Sequence, residues 1–229
     1  MATKNQPALT DKDRVAARVH ALVQQIDQNP RDKKAMIALA HLLVQQGAPD
    51  QAAALLTKGL AVLPGDDLLQ YNLAAVAVSQ GDAETAQKLL AQVHDPALAA
   101  DKAYTTAQLY FAQKQYPRAL AFALTAVDHA PNDAQYQLLY GDILSALENW
   151  PLAVQALQQA AALAPAAYKP HFDLGVALLG QGDTAGAKAA LARARHLDPA
   201  RYQQQAALFR DIGRLVKGGP ADDQSAPSD

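Results

Sequence analysis

Six histidines, His20, His41, His94, His129, His171 and His196, are the side chains here best suited to bind a metal or move a proton near neutral pH. No two stand four apart, the spacing that sets paired imidazoles on one helix face, so no metal site is expected from them. The chain has no cysteine, which removes thiolate zinc sites and disulfide frames together. Ser79 and Ser145 are the only serines ahead of residue 218, and neither lies in the Gly-x-Ser-x-Gly elbow of a hydrolase. The run from Gly180 to Lys188 has glycines like a phosphate loop. It lacks the Gly-Lys-Ser/Thr ending and follows a helical period instead of a strand. The expectation is a non-enzymatic protein with no catalytic residue, no metal and no cofactor.

The carboxylates point the same way. Glu84 and Glu148 are the only glutamates, and most aspartates stand at chain breaks, such as Asp50, Asp66, Asp82, Asp133 and Asp183. A short acidic side chain there caps the exposed N–H groups of a starting helix. Asp142 and Asp173 fall inside apolar helical periods and are left over by that account.

The elements that must hold these residues are helices. From Tyr168 to Arg201 two apolar periods of helical spacing, Phe172 to Leu179 and Ala187 to Leu197, flank Gly182-Asp183. Gly182 suits the φ > 0 conformation that ends a helix, Asp183 or Thr184 suits the next cap, and Pro199 stops the second helix. This helical hairpin recurs along the chain. Its small residue at unit position 20 is Ala52, Ala86, Ala119, Ala153 and Ala187, at steps of 34, 33, 34 and 34. Position 8 is Ala40, Ala74, Ala107, Gly141 and Gly175, and a closing proline recurs as Pro64, Pro131, Pro165 and Pro199, with Pro96 two places early. The loop glycine appears as Gly47, Gly81 and Gly182, whereas units three and four carry Tyr116-Pro117 and Trp150-Pro151 instead.

A period of about 34 with small residues and proline in these places resembles the tetratricopeptide repeat family. The resemblance implies an all-α fold: a right-handed superhelical solenoid of five helix-turn-helix repeats, at 33–66, 67–99, 100–133, 134–167 and 168–201. An amphipathic stretch at 10–32, with Val15, Val19, Leu22, Val23 and Ile26 on one stripe, reads as an N-terminal capping helix. A second at 202–217 reads as a C-terminal cap. Residues 1–9 and 218–229 are polar, and loose ends are expected there. Between repeats two and three, His94-Asp95-Pro96 predicts an irregular connection.

Net charge is only −2 with lysine and arginine scattered, so no nucleic-acid partner is expected. No apolar run nears about 18 residues and no signal-peptide core opens the chain, so no membrane role and a cytoplasmic location are expected.

What remains is a surface. In tetratricopeptide proteins the first helices of successive repeats line a concave groove through unit positions 2, 5, 9, 12 and 13. Carried onto this chain, the lining includes Ile37, His41, Tyr71, Tyr104, Gln108, Phe111, Leu138, Asp142 and Phe172. Position 5 supplies one large side chain per repeat: Ile37, Tyr71, Tyr104, Leu138 and Phe172. Of the lysine, arginine and asparagine set by which some family members clamp the acidic C-termini of heat-shock chaperones, only Asn72 matches, with Ile37, His41, Asp101 and Thr105 in the other places. The resemblance therefore implies a scaffold that binds an apolar or amphipathic segment of a protein or peptide partner. The alternative is an assembly subunit whose groove is filled by its own terminal helix or by a second copy, as a homodimer. Asp142 either meets a basic group of the ligand or pairs with Lys169.

Overall fold

The computed structural model describes residues 10–216, with side chains described as far as Ala207. The expectations for residues 1–9 and 218–229 lie outside the described residues, as does the outer part of the stripe foreseen for the last helix. The described residues are all-α, and two compact units divide after Pro131.

The first unit opens with α1 (Asp11–Gln28) and continues through α2 (Lys33–Gln45), α3 (Pro49–Val62), α4 (Asp67–Gln80) and α5 (Ala83–Gln92). After a 3-10 turn at Pro96–Leu98 it ends with α6 (Ala99–Ala112) and α7 (Tyr116–His129). The second unit holds α8 (Ala134–Ala146), α9 (Trp150–Leu163), α10 (Tyr168–Gln181), α11 (Thr184–Leu197) and α12 (Pro199–Val216). Within each unit, consecutive helices pack as hairpins of the kind the period implies.

Helix starts follow the aspartates. Thr10 and Asp13 form a reciprocal capping box on α1. Asp66, Asp82, Asp133 and Asp183 each accept from a backbone N–H of the helix they precede, and Asp32 does the same for α2. Asp50 does not cap: it sits inside the first turn of α3 and accepts from Gln80 Nε2 at 2.6 Å. The helices without a side-chain cap that follow the hairpin turns, α3, α7 and α9, carry proline in the first turn, where no donor is lost.

The hairpin turn itself is the same five times. The N–H groups of Ala48, Asp82, Gln115, Asn149 and Asp183 reach back to the carbonyls of Leu43, Ala77, Tyr110, Leu144 and Leu178, all at 2.9 Å. This closure needs one residue of left-handed backbone. Gly47, Gly81 and Gly182 supply it, and Lys114 and Glu148, both at φ 58°, take the same place where the glycine is missing. The proline of the Tyr-Pro and Trp-Pro pairs therefore does not replace the glycine; it starts the next helix.

Close packing sits where the small residues recur. Ala52, Ala86, Ala119, Ala153 and Ala187 are all fully buried, as are Ala40, Ala74 and Ala107. In the second unit the helices approach closer still. A Cβ added to Gly141 would lie 2.6 Å from Leu157 Cγ, and one added to Gly175 would lie 2.5 Å from Leu191 Cγ. Met36 lies on Gly59, where a Cβ would meet its Sδ at 2.8 Å.

The junction after α5, from Val93 to Leu98, has the irregular connection expected, and it is held by hydrogen bonds. Asp67 accepts from the N–H groups of His94 and Asp95, and Asp95 caps Ala97. Lys102 Nζ donates to the Val93 carbonyl at 2.7 Å, and Val93 is buried. The segment is an ordered 3-10 turn tied at both ends.

Candidate functional site

In the first unit, position 5 packs inward more than an exposed strip would. Ile37 lies partly buried against the core of Met36, Leu56 and Leu69. Tyr71 is half-buried, and its hydroxyl accepts from Thr105 Oγ1 at 3.3 Å. Burial raises its pKa, Thr105 pulls it down in part, and Asp101 adds to the rise. The Tyr104 hydroxyl accepts from Gln108 Nε2 at 3.0 Å, and Phe111 tilts against Tyr116 with ring centroids 5.6 Å apart.

His41 is exposed and belongs to a small relay. Asn72 Nδ2 donates to the Leu68 carbonyl at 2.7 Å, which turns Asn72 Oδ1 toward His41 Nε2 at 2.8 Å. With the amide so oriented, the assignment that satisfies both contacts makes His41 Nε2 the donor. Beside it α2 and α4 enclose a cleft of about 250 Å³, lined by His41, Val44, Gln45, Asn72, Ala75 and Ser79 among others.

The second unit carries the more apolar cleft, about 280 Å³, between α10, α11 and α12. Phe172, Val176 and Leu179 of α10 form one wall; Leu191, Tyr202 and Ala206 form the other. Phe172 is buried, stacked on Tyr168 at 5.6 Å and met edge-on by Tyr202 at 6.2 Å. Leu179, by contrast, keeps 51% of its surface open. Leu138 is half-buried on α8.

Asp142 is paired within the chain. Lys169 Nζ lies 2.7 Å from Asp142 Oδ2 and also contacts Asp173 Oδ2. Burial, then the neighbouring Asp173 charge, push the Asp142 carboxyl up to about 6, against the opposing pull of Lys169. Burial works against the Lys169 ammonium, but the two carboxylates outweigh it and raise its pKa. The geometry shows the Lys169 contact, and it takes in Asp173 as well.

Sequence reasoning missed Leu191, Tyr202 and Ala206, because a first-helix rule does not look to α11 and α12 for lining. It also missed that Trp150 covers Gly180: a Cβ there would lie 2.6 Å from the indole. No group of three His, Asp or Glu able to hold a metal occurs among the described residues. No described helix is long and apolar enough to cross a membrane.

Comparison with known proteins fits this geometry. The tetratricopeptide repeat family matches residues 43–98 and again 141–202, together just over half of the chain. The family of anaphase-promoting complex (cyclosome) subunit 3 matches residues 79–160. No curated protein matches. Among solved structures, YrrB, a TPR protein with an unusual peptide-binding site, is 18% identical, with 82% of this chain and 98% of that one covered and a TM-score of 0.56. TTC0263, a thermophilic TPR protein from Thermus thermophilus, is 22% identical over 77% of this chain and 98% of that one, TM-score 0.64. The APC/C hetero-tetramer Cut9-Hcn1 is 16% identical over 82% of this chain and 38% of that one, TM-score 0.73. At these identities the likeness establishes the fold alone. With five hairpins closed by one turn geometry and a buried alanine at position 20 of every repeat, the chain belongs to the tetratricopeptide repeat family and is a protein–protein interaction domain.

Proposed function

We propose that the chain is a non-enzymatic scaffold that holds an apolar or amphipathic segment of a protein partner on the faces of its first helices. The observation that carries this reading is the cleft beside α10, with Phe172 at its base and Leu179 half open at its rim. Aromatic and aliphatic walls of this kind seat a partner's large side chain, and a single such anchor dominates affinity. YrrB has a peptide-binding site on a similar fold, and placing one on this chain is part of the proposal.

A second reading, self-association, is favoured by large apolar side chains left open on the second helices: Phe122 and Leu124 on α7, Leu152 and Leu163 on α9. Sedimentation of Leu179→Glu and Leu152→Glu variants across concentration separates the two. The scaffold reading expects a monomer throughout and loss of partner capture in Leu179→Glu only. A dimer that Leu152→Glu dissociates would replace it with the second reading.

A further inference from the structure

The apolar cleft and the ionic cluster share one face of α10. Val176 stands three residues after Asp173, four after Phe172 and seven after Lys169, so cleft wall and charges lie side by side on successive turns. The cluster is unbalanced: two carboxylates face one ammonium. Each carboxylate contacts Lys169 through Oδ2. Lys169 is the most open of the three, its side chain 45% exposed against 18% and 23% for Asp142 and Asp173. The cluster as a whole therefore carries surplus negative charge, gathered and partly desolvated, next to an apolar socket. Partly buried charge is screened less by salt than charge in open water.

From this juxtaposition, and resting on the groove reading above, we infer that the second unit selects a partner segment with paired chemistry. A bulky aliphatic or aromatic residue enters the Phe172–Val176–Leu179 cleft. A lysine or arginine about one helical turn away reaches the Asp142 and Asp173 carboxylates. The chain's own residues 217–229 do not fit, since they carry no apolar side chain larger than proline and bring three aspartates. Like charges brought together there would oppose docking.

The test uses the full chain and two fluorescein-labelled, alanine-rich helical peptides. Both carry Leu and Phe on one face; Lys flanks them in one peptide and Glu in the other. The parent is expected to bind the Lys peptide about tenfold tighter than the Glu peptide, with the difference shrinking as salt is raised. Leu179→Glu should weaken the Lys peptide by about tenfold or more, as loss of a central anchor does. Replacing Asp142 and Asp173 with Asn leaves the Lys169 ammonium alone, and the preference should reverse toward Glu. If that double variant does not fold, as circular dichroism would reveal, the salt dependence of the parent decides. Equal, salt-independent binding of both peptides that Leu179→Glu abolishes overturns the charge pairing and leaves the groove reading standing. Binding of neither peptide, or binding that Leu179→Glu leaves unchanged, overturns both. A dimer that Leu179→Glu breaks up puts a second copy in the cleft and overturns the inference too.

Discussion

Replacing Gly175 with alanine should destabilise this protein, although alanine is the better helix former by about 1 kcal/mol in a helix interior. The reason is Leu191. The added Cβ would lie 2.5 Å from its Cγ and 2.7 Å from its Cδ2, with the Leu191 backbone nitrogen at 3.4 Å. Cγ is the branch point of the side chain, so relief needs a new χ1 or a shift of α11, not the swing of a free end. Such overpacking costs about 1–3 kcal/mol, which exceeds the gain in helix propensity and leaves a net loss near 1 kcal/mol. Leu191→Ala removes the obstructing atoms, so in that background Gly175→Ala should stabilise by up to about 1 kcal/mol. The sign of one substitution thus reverses with its neighbour. Thermal melting followed by circular dichroism suffices, since about 1 kcal/mol moves the midpoint by about 2–4 °C in a chain of this size. Urea curves compared by two probes would check that unfolding is concerted, which repeat arrays do not guarantee. Gly175→Ala stabilising in both backgrounds would refute the close approach of α10 to α11.

Three more outcomes follow from the same geometry. Ala187→Leu should cost about 1–3 kcal/mol, because position 20 is fully closed and leucine loses little helix propensity; unchanged melting would break the assigned hairpin register. Lys114→Gly and Glu148→Gly should each stabilise by about 1 kcal/mol, since a side chain is strained at φ 58° and glycine is not; a lower midpoint for both would contradict the turn geometry. Asp142, held at about 6 by burial and by Asp173, binds its proton more tightly folded than unfolded, so its contribution is present at low pH and lost as pH rises through about 6. The stability of the parent relative to Asp142→Asn should therefore grow by about 1–3 kcal/mol between pH 7 and about pH 4. Melting profiles that run parallel over that range would exclude it.

The repeat was legible because its constraints are local. Alanine at position 20, glycine at the turn and aspartate ahead of a helix each answer a steric or hydrogen-bonding need within a few residues. Lys114 and Glu148 hid the left-handed position because backbone closure across the turn holds side chains that rarely take it. The site was less legible for a different reason. Tyr71, Tyr104 and Phe111 were read as groove lining, and Thr105, Gln108 and Tyr116 engage them from the same or neighbouring helices. Their burial means that Tyr104→Ala with Phe111→Ala would cost stability as well as contact, whereas Leu179 and His41 test the surface alone. The partnership of Asp142, Lys169 and Asp173 was half visible, since positions 2 and 6 of one repeat face position 9 of the repeat before it. Which oxygen meets which nitrogen depends on rotamers that spacing does not encode.

Position-resolved crosslinking tests the central claim most directly. A photoreactive residue is placed singly at His41 or Leu179 on the first-helix faces, and at Leu124 or Leu152 on the second helices, all of them exposed. After irradiation in native lysate, a partner protein should be joined from Leu179 or from His41 and not from Leu124 or Leu152. Crosslinks confined to Leu124 and Leu152 would contradict the account and move the binding surface to the second helices.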